Sequence, residues 1–322
     1  MLSDLKNFIA KYSRKKSESA IITVRQTDTI SESQTNPLPK NLTIAICNQK
    51  GGCAKTTTAI NLSSCLAQKG YKVLLVDLDS QGHASLGLGV DADSLEKSIY
   101  DVLINNVSLE SIILKSSCVD NLDIAAANSI LSGAQLELAD MLGRESVLKI
   151  ALRKLRLVKS YDFILLDCSP SLNLITINAL VAANSVLIPL QTHYYSLEGM
   201  KELFSTIDII RERLNFELEI LGILATLFDT RTKVSHQMLE QIRDYFKDMV
   251  FKTIIHNNVK LCEAPIYKKP IHLYDSKSQG AQDYRALTEE IIVLTGYGDR
   301  FVQTENQIPQ TQQLNATRKA TA

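Results

Sequence analysis

The chain has 322 residues, of which 45% are hydrophobic and 22% are charged, as in a folded globular protein rather than a disordered chain or a coiled coil. Lysine plus arginine and aspartate plus glutamate both total 35, so the formal net charge is zero and the chain is not a constitutively basic nucleic-acid coat protein. The length allows one large α/β domain or two ordinary domains, and we expect one.

Both ends of the chain are predicted to lie outside this domain. Residues 1–40 join a short basic amphipathic stretch to the polar segment SESQTNPLPK, and we interpret them as an N-terminal extension and linker. The amphipathic stretch has charges among its apolar residues and no small-residue cleavage site, which argues against a secretory signal. Residues 297–322 are rich in glutamine and threonine and are predicted to form a disordered polar tail.

Between these ends, nearly continuous apolar runs of strand length alternate with helical patterns. The predicted strands cover residues 42–47, 72–78, 122–127, 162–168, 185–190, 218–226 and 251–255. The predicted helices cover residues 55–69, 132–142, 146–158, 197–214, 235–249 and 279–295. Continuous apolar strands are typical of a parallel sheet that is covered on both faces. The pattern predicts one α/β domain over residues 41–296, with a doubly wound, mostly parallel sheet flanked by helices on both faces.

The cysteines and the hydropathy pattern exclude several classes of protein. The six cysteines include no CxxC pair and no Cys/His cluster at metal-binding spacing, so we expect mostly reduced core residues; they are Cys47, Cys53, Cys65, Cys118, Cys168 and Cys262. No window of about twenty residues is apolar without a charge, so no transmembrane span is expected. These patterns predict a cytoplasmic protein.

The stretch NQKGGCAKTTTAINL, residues 48–62, is similar to a phosphate-binding loop between a strand and a helix. In such a loop, backbone N–H groups and the helix N-terminus hold a polyphosphate. Lys55 would reach the β- and γ-phosphates, and the Thr56 hydroxyl would coordinate Mg²⁺. The strict pattern G-x-x-x-x-G-K-[ST] fails at both glycines, where Gln49 and Ala54 stand. By itself, the stretch is equally compatible with a glycine-containing turn that bears surface lysines.

Carboxylates at the ends of two other predicted strands favour the nucleotide site. Asp77 and Asp79 end the run LLVDLD, and Asp167 ends the run DFILLD. A Mg²⁺–triphosphate site requires such groups, one to hold the metal or its waters and one to orient the attacking water. Each aspartate alone is more simply a helix cap or a turn residue, but three at one sheet edge predict a site.

Three long segments in the chain resemble the ParA/Soj-type partition ATPases, which form with MinD the deviant Walker A group of P-loop NTPases. The segments begin NQKGGCAKTTTAINL, YDFILLDCSPSLNL and VKLCEAPIYKKPIHLYD, and they follow the family's order within about residues 41–296. The resemblance implies a slow, partner-stimulated ATP hydrolase that uses ATP and Mg²⁺. It further implies that an ATP-bound homodimer binds double-stranded DNA without sequence preference on the nucleoid, and that a ParB-like centromere-binding protein stimulates hydrolysis and release.

The resemblance also assigns roles to individual residues. Lys50 corresponds to the signature lysine that reaches the partner's phosphates across an ATP-sandwiched homodimer, and Lys50, Lys55 and Asp79 are implied to be catalytic. Mg²⁺ is implied to lie near Thr56 and Asp167, and near Asp79 through water. The implied ATP-binding residues are Lys50, Gly51, Gly52, Cys53, Ala54, Lys55, Thr56 and Thr57.

Two departures from the family pattern fall within this loop. Ala54 replaces the usual glycine, and if its φ is positive the strain is about 1 kcal/mol, which would weaken nucleotide affinity without abolishing it. Cys53 replaces an apolar residue. A thiol at a helix N-terminus among lysines is a candidate for a lowered pKa, although most free cysteines are small buried hydrophobes.

A basic surface is implied for nonspecific DNA binding, where salt-sensitive phosphate contacts add together. Asn257 departs from the family pattern because relatives usually carry arginine at this position. Lys277 is a further basic residue close in sequence to the matching positions. The residues at the positions that match the family's DNA-binding surface are Arg231, Lys233, Lys260, Lys268 and Lys269. The alternative interpretation is that these side chains form only a solvated surface.

Four alternative functions stay open at this stage. A ParA-like ATPase could position a protein cargo on the nucleoid, and a MinD-like ATPase could dock on a membrane. The polar C-terminal tail offers no apolar helix face, so we expect no membrane docking. A nitrogenase-reductase relative would need cysteines in a cluster-binding motif, which this sequence lacks. A small-molecule ligase would need a substrate site, and we find no residues for one. A nucleotide binder that does not turn over is motivated by Ala54 alone.

Overall fold

The computed structural model describes residues 41–193 and 199–297. The predicted extension over residues 1–40 lies outside these ranges, as does the predicted tail apart from its first residue. That residue, Tyr297, is buried, and its ring packs against Tyr71 and Phe163 at centroid distances of 5.8 and 4.4 Å. The folded domain therefore continues one residue past the predicted boundary at 296.

The described residues form one eight-stranded sheet with the order β3-β4-β2-β5-β1-β6-β7-β8. All neighbouring strands pair in parallel except β3, which pairs antiparallel with β4 at one edge. The strands are β1 Leu42–Ile46, β2 Val73–Leu78, β3 Ile113–Lys115, β4 Leu122–Ala125, β5 Phe163–Cys168, β6 Ser185–Gln191, β7 Glu219–Phe228 and β8 Val250–His256.

Helices connect the strands and cover the sheet. In chain order they are α1 Lys55–Gln68, α2 His83–Gly87, α3 Ile99–Leu103, α4 Leu109–Ile112, α5 Ala134–Ala139, α6 Val147–Val158, α7 Leu174–Ala182, α8 Met200–Arg213, α9 Lys233–Phe246, α10 Val259–Glu263, α11 Ile271–Tyr274 and α12 Gln279–Leu294. Short 3₁₀ turns occupy Ala92–Ser94, Ser129–Gly133, Lys247–Met249 and Ala264–Tyr267. Within the described ranges, no helix is both long and apolar enough to cross a membrane.

Two large apolar clusters lie on opposite faces of the sheet. Along β2, Leu74 and Val76 point into one cluster while Val73 and Leu75 point into the other. Helices α6 and α8 pack on the first face, and α1 and α12 pack on the second. Because both faces are covered, the strands read as continuous apolar runs, and the predicted doubly wound α/β fold is confirmed.

All seven predicted strands are present, and the main errors concern short or uniformly apolar elements. The sequence LITINALVA of α7 is mostly apolar, and its two polar residues, Thr176 and Asn178, are buried as well, so it lacks the polar face that marks an amphipathic helix. Its start is fixed by Asn173, whose side chain accepts hydrogen bonds from the backbone N–H groups of Ile175 and Thr176. The edge strand β3 was missed because it has only three residues. The predicted helix 132–142 shrinks to α5, preceded by a 3₁₀ turn.

Candidate nucleotide site and basic surface

The loop between β1 and α1 is anchored to neighbouring strands at both of its ends. The buried Asn48 side chain donates a hydrogen bond to the Pro189 carbonyl of β6 at 2.6 Å and accepts one from the Lys50 N–H at 3.0 Å. The hydroxyl of Thr226 in β7 donates to the carbonyl of Cys53 at 3.1 Å. These bonds fix the loop at the carboxyl edge of the sheet, where doubly wound folds bind ligands.

Ala54 immediately precedes α1 and adopts the left-handed conformation, with φ 69° and ψ 31°. Because this φ is positive, the backbone at Ala54 is strained, and an L-residue here costs about 1 kcal/mol relative to glycine. Gly52 also has a positive φ, 71°. The left-handed residues turn the chain so that the N-terminus of α1 faces the loop, as in other phosphate-binding loops.

Lys55 is nearly buried and bends back over the loop. Its ammonium group donates to the Lys50 carbonyl at 3.0 Å and lies 3.9 Å from the Cys53 sulfur. A cation held against the loop backbone is placed to receive an anion at the start of α1. Lys50 itself is half-buried on the loop, beside the exposed Gly51 and Gly52.

Asp167 is the most unusual side chain of the site because it is a fully buried carboxylate without a protein partner. Neither of its oxygens forms a hydrogen bond with any residue that the structure describes. Burial raises its pKa well above the usual value, the neighbouring Asp77 charge raises it further, and the nearby Thr56 hydroxyl lowers it. A buried acceptor without a donor is rare in proteins. It fits a position beside a metal ion or its water.

The residues present fit Mg²⁺ rather than a metal with an all-protein ligand set. Among the described residues, no group of three or more His, Cys, Asp or Glu side chains is arranged to hold a metal. Mg²⁺ is commonly bound by one or two carboxylates together with substrate phosphates and water. Asp167 and the Thr56 hydroxyl beside it supply this donor set.

Asp77 has a different role, although it lies in register with Asp167 on the adjacent strand. Its carboxylate accepts hydrogen bonds from the Asp79 N–H at 3.1 Å, the Ser85 N–H at 2.9 Å and the Ser85 hydroxyl at 2.7 Å. Burial raises the pKa of Asp77 to about 6, partly offset by the Ser85 hydrogen bonds. Since its acceptors are used, Asp77 fixes the segment that carries Asp79 instead of binding metal.

The segment after β2 is held tightly against the end of β4. Gly82 has φ 62°, and a Cβ at this position would lie 2.8 Å from the Ala127 carbonyl oxygen. The Ala127 N–H donates to the Ser85 hydroxyl at 3.2 Å, and the Asp79 carboxylate accepts from the Gln81 N–H at 3.1 Å. Asp79 is therefore presented from a rigid turn at the edge that carries the loop.

Of the two interpretations of Cys53, the structure supports the small buried hydrophobe over a thiol with a lowered pKa. The thiol is buried, donates to the Lys50 carbonyl at 3.2 Å, and has its pKa raised because desolvation outweighs the attraction of Lys55. Burial in a low-dielectric environment disfavours the thiolate even at a helix N-terminus. Cys53 therefore belongs with the small buried hydrophobes.

Comparisons with known proteins agree with this geometry. The AAA_31 family, described as an AAA domain, matches residues 41–220. The chain is 47% identical over 248 residues to the sporulation initiation inhibitor protein Soj of Bacillus subtilis, covering 77% of this chain and 97% of that protein. It is also 47% identical over 249 residues to the chromosome partitioning protein ParA of Myxococcus xanthus, covering 77% and 87%. The chain belongs to the Soj/ParA family of chromosome-partitioning ATPases.

Solved structures extend the comparison to the ligands. Cobyrinic acid a,c-diamide synthase of Mycobacterium smegmatis, solved with an ATP analogue and magnesium, superposes with a TM-score of 0.68 at 34% identity, covering 77% of this chain and 93% of that one. The predictions of a partition-ATPase family, a P-loop α/β fold, ATP hydrolysis, and ATP with Mg²⁺ as ligands are confirmed. The roles of individual residues stay predictions.

In the present chain, as a member of the Soj/ParA family, two of the predicted DNA-binding residues lie just after the carboxyl end of β7. Arg231 is exposed, and its guanidinium forms two hydrogen bonds with the Asp229 carboxylate, at 2.9 and 2.8 Å. This partner lowers the pKa of Asp229 to about 2. Lys233, the first residue of α9, is also exposed.

Lys260 lies in α10, which begins three residues after the end of the neighbouring strand β8. The Asn257 N–H donates to the Phe228 carbonyl at 2.9 Å, which joins the ends of β7 and β8 just before α10. The Lys260 ammonium pairs with Glu263 at 2.8 Å. The structure thus brings Lys260 close to the Arg231 segment, although Asn257 adds no charge there.

Lys268 and Lys269 belong to a separate part of the surface. Both are exposed and follow the 3₁₀ turn at residues 264–267. The Lys268 Cβ lies 4.0 Å from the position that a Cβ on Gly89 would occupy, so this turn packs beside the end of α2. The five predicted residues therefore form two neighbouring groups instead of one continuous patch.

The contacts that hold the site in place were not predicted from the sequence, although Asp77 was named there as a candidate metal-site carboxylate. Asn48 and Thr226 anchor the loop, and Asp77 anchors the Asp79 segment through Ser85. The available signal was a polar residue inside an otherwise apolar strand or at its end, since buried polar groups need partners. The partner itself depends on strand order, which the sequence does not give.

Proposed function

We propose that this protein is an ATP-driven DNA-segregation switch. Two copies associate around bound ATP, the dimer binds double-stranded DNA without sequence preference on the nucleoid, and a ParB-like partner stimulates hydrolysis and release. The observation that supports this most strongly is the unpartnered, buried Asp167 beside Lys55 and Thr56, in a chain whose relatives are named chromosome-partitioning ATPases.

Binding is assigned to the loop and the helix that follows it. The backbone N–H groups from Gly51 to Thr57 and the N-terminus of α1 hold the phosphates, and Lys55 moves from the Lys50 carbonyl to the β- and γ-phosphates. Thr56 and Asp167 hold Mg²⁺, which when bound neutralises charge on the phosphate oxygens. The buried Asp167 then gains a ligand for the oxygens that accept no hydrogen bond from the described protein groups.

Hydrolysis is assigned to Asp79 and to a second lysine. The turn fixed by Asp77 directs Asp79 toward the same edge as Asp167, where its carboxylate orients the attacking water. Lys50 reaches the phosphates of the partner subunit and offsets negative charge in the transition state. Because Lys50 acts across the interface, hydrolysis depends on assembly.

DNA binding is assigned to the exposed basic residues on the β7–β8 edge and the turn that follows α10. One copy offers few phosphate contacts, and two of the side chains are paired with Asp229 and Glu263. Dimerisation doubles the number of contacts, and because each contact releases counterions, affinity rises steeply at low salt. ATP therefore controls DNA binding through assembly.

Positioning of a protein cargo is the second candidate. It uses the same ATP-dependent DNA binding, so the site geometry supports both, and only the bound partner separates them. A diamide synthase activity, as named for the solved relative, would appear as ATP hydrolysis that requires a small-molecule acceptor.

The experiment is retention on DNA of random sequence with ATP, ADP or no nucleotide. We compare wild type, Asp79→Ala, and a double variant with Arg231→Ala and Lys233→Ala. Lys154→Ala is the matched control, because Lys154 is an exposed lysine on α6, away from this edge. We expect ATP-dependent retention for wild type, Asp79→Ala and Lys154→Ala, and weak retention for the double variant.

Salt dependence separates DNA contacts from other effects. Each lost phosphate contact lowers the slope of log affinity against log salt by about 0.9. The proposal fails if Asp79→Ala binds ATP but is not retained on DNA at low salt. It also fails if the double variant and Lys154→Ala behave alike.

A further inference from the structure

Beside the predicted phosphate contacts, the turn after α10 carries an exposed aromatic platform. Tyr267 and Tyr274 stack with ring centroids 5.0 Å apart and an interplanar angle of 26°. Tyr267 is 61% exposed, so the ring face opposite Tyr274 is open to solvent. A large aromatic ring at the surface with one face covered and one face open can receive another planar ring.

The inner ring is fixed by a polar network. The Tyr274 hydroxyl donates to Glu263 at 2.7 Å, and the Lys260 ammonium pairs with the same carboxylate oxygen at 2.8 Å. The Lys260 nitrogen also lies 5.7 Å from the centre of the Tyr274 ring. Since both Tyr274 and Glu263 are held, the ring against which Tyr267 stacks is fixed before any ligand arrives, which lowers the entropic cost of binding.

Positive charge surrounds the platform. Residues 257–277 contain four lysines and two carboxylates, a local excess of two positive charges in a chain whose net charge is zero. Lys268 and Lys269, next to Tyr267, form no ion pair with any residue that the structure describes. A cleft of about 430 Å³ is lined by residues that include Tyr274, Asp275 and Lys277.

Lys268 and Lys269 follow Tyr267 directly in the chain and end the 3₁₀ turn. Lys268 has φ 53° and ψ 41°, the left-handed conformation with which helical turns commonly end. Its N–H donates to the Pro265 carbonyl at 2.9 Å, and the Lys269 N–H donates to the Ala264 carbonyl at 3.2 Å. These bonds fix the backbone that carries both lysines beside Tyr267.

We propose that Tyr267 is a stacking platform for an unpaired nucleobase, and that Lys268 and Lys269 hold the adjoining phosphates of a single-stranded nucleic acid. Aromatic rings beside lysines bind single strands because every base offers a π-face and every nucleotide a phosphate. Bases in a duplex are already stacked on each other, so this contact goes beyond the duplex binding proposed above. Lys268 and Lys269 serve both ligands, whereas Tyr267 serves only the single strand.

The test is fluorescence anisotropy with a 20-nucleotide thymidine oligomer, an abasic oligomer with the same number of phosphates, and a duplex of the same length. The variants are Tyr267→Leu, which keeps apolar volume without a π-face, and Tyr267→Phe, which keeps the π-face. Tyr267→Leu should bind the thymidine oligomer about tenfold more weakly than wild type. Tyr267→Phe should bind it as wild type does, and duplex binding should not change in either variant.

A second readout reports stacking itself. A 2-aminopurine in the centre of the oligomer should lose fluorescence with wild type and Tyr267→Phe, but not with Tyr267→Leu. The proposal is overturned if wild type binds the abasic and thymidine oligomers equally, or if Tyr267→Leu binds like wild type. It is also overturned if the chain binds anionic phospholipid vesicles through Tyr267 and not the oligomer, since the patch would then be a lipid surface.

The two proposals fail independently. Loss of ATP-dependent duplex retention with intact, Tyr267-dependent oligomer binding would refute only the segregation switch. Intact duplex retention with Tyr267-independent oligomer binding would refute only the platform.

Discussion

Replacing Asp77 by asparagine changes two opposing contributions to stability beneath the phosphate-binding loop. In the wild type, the carboxylate accepts one hydrogen bond from the Asp79 N–H and two from Ser85. The amide oxygen of asparagine can keep both Ser85 bonds, but its NH₂ group then faces the Asp79 N–H. The change therefore removes one hydrogen bond and one buried negative charge next to Asp167.

The magnitudes nearly cancel at neutral pH. A hydrogen bond to a charged group contributes about 1.5–3 kcal/mol, which the variant loses. Burial raises the pKa of Asp77 from 3.8 to about 6. At about 1.4 kcal/mol per pKa unit, the charge destabilises the folded wild type by about 3 kcal/mol at pH 7. We expect Asp77→Asn to keep the free energy of unfolding at pH 7 within about 2 kcal/mol of the wild-type value.

The pH dependence is more diagnostic than the value at one pH. Because the folded pKa of Asp77 lies above the unfolded pKa, the group's stabilisation is complete below about pH 4 and is lost as the pH rises toward 6. Between pH 5 and pH 7, the wild type should lose about 1 kcal/mol that Asp77→Asn retains. Urea unfolding followed by circular dichroism at pH 5, 6 and 7 measures this difference.

The matched control is Asp120→Asn, an exposed aspartate before β4. Its difference from wild type should not depend on pH. If the Asp77→Asn difference is equally flat, the carboxylate does not carry the raised pKa and the reasoning about the buried pair is wrong. Since the Asp79 N–H loses its acceptor, we also expect hydrolysis to fall more than ATP affinity.

Three further predictions concern the loop, the thiols and the basic surface. Ala54→Gly removes about 1 kcal/mol of left-handed strain but increases the entropy of the unfolded chain, so the free energy of unfolding should rise by up to about 0.6 kcal/mol, as measured by urea unfolding. A variant destabilised by about 1 kcal/mol or more would contradict the strained conformation. Iodoacetamide at pH 8 should label the exposed Cys262 first and Cys53 only after unfolding; rapid labelling of native Cys53 would disprove its burial. Asp229→Asn keeps a side-chain acceptor for the Arg231 backbone N–H but releases the Arg231 guanidinium. DNA retention should therefore strengthen, and the slope of log affinity against log salt should steepen by about 0.9 per added phosphate contact. Unchanged retention would exclude Arg231 from the DNA surface.

The sheet and the nucleotide loop follow from the sequence because their signals are local. Continuous apolar runs predict the buried strands, and a lysine and threonine after a glycine-containing turn predict the loop. Ala54 illustrates the limit: its residue type violates the glycine pattern, and only the observed φ of 69° shows that the backbone follows the usual path at a cost. The N-cap Asn173 marks the start of α7, but this mostly apolar helix has no polar face whose period could be detected.

The environment of each site residue could not be predicted because it depends on which strands become neighbours. The sequence shows two aspartates at strand ends with the same apparent role. The structure separates them: Asp77 is fully hydrogen-bonded to the Asp79 segment, and Asp167 has no described partner. Similarly, the sequence leaves both an activated thiol and a small buried hydrophobe open at Cys53, and the burial that raises the pKa of this thiol decides for the second.

The measurement that tests the central claim most directly is the mass of Asp79→Ala in solution with ATP or ADP, by sedimentation velocity, beside the double variant Asp79→Ala with Lys50→Ala. Asp79→Ala should sediment as a dimer of about 72 kDa in ATP, twice the 35.8 kDa of one chain, and as a monomer in ADP. The double variant should bind ATP and stay a monomer. A monomer for Asp79→Ala at saturating ATP, or a dimer for the double variant, would contradict assembly through Lys50.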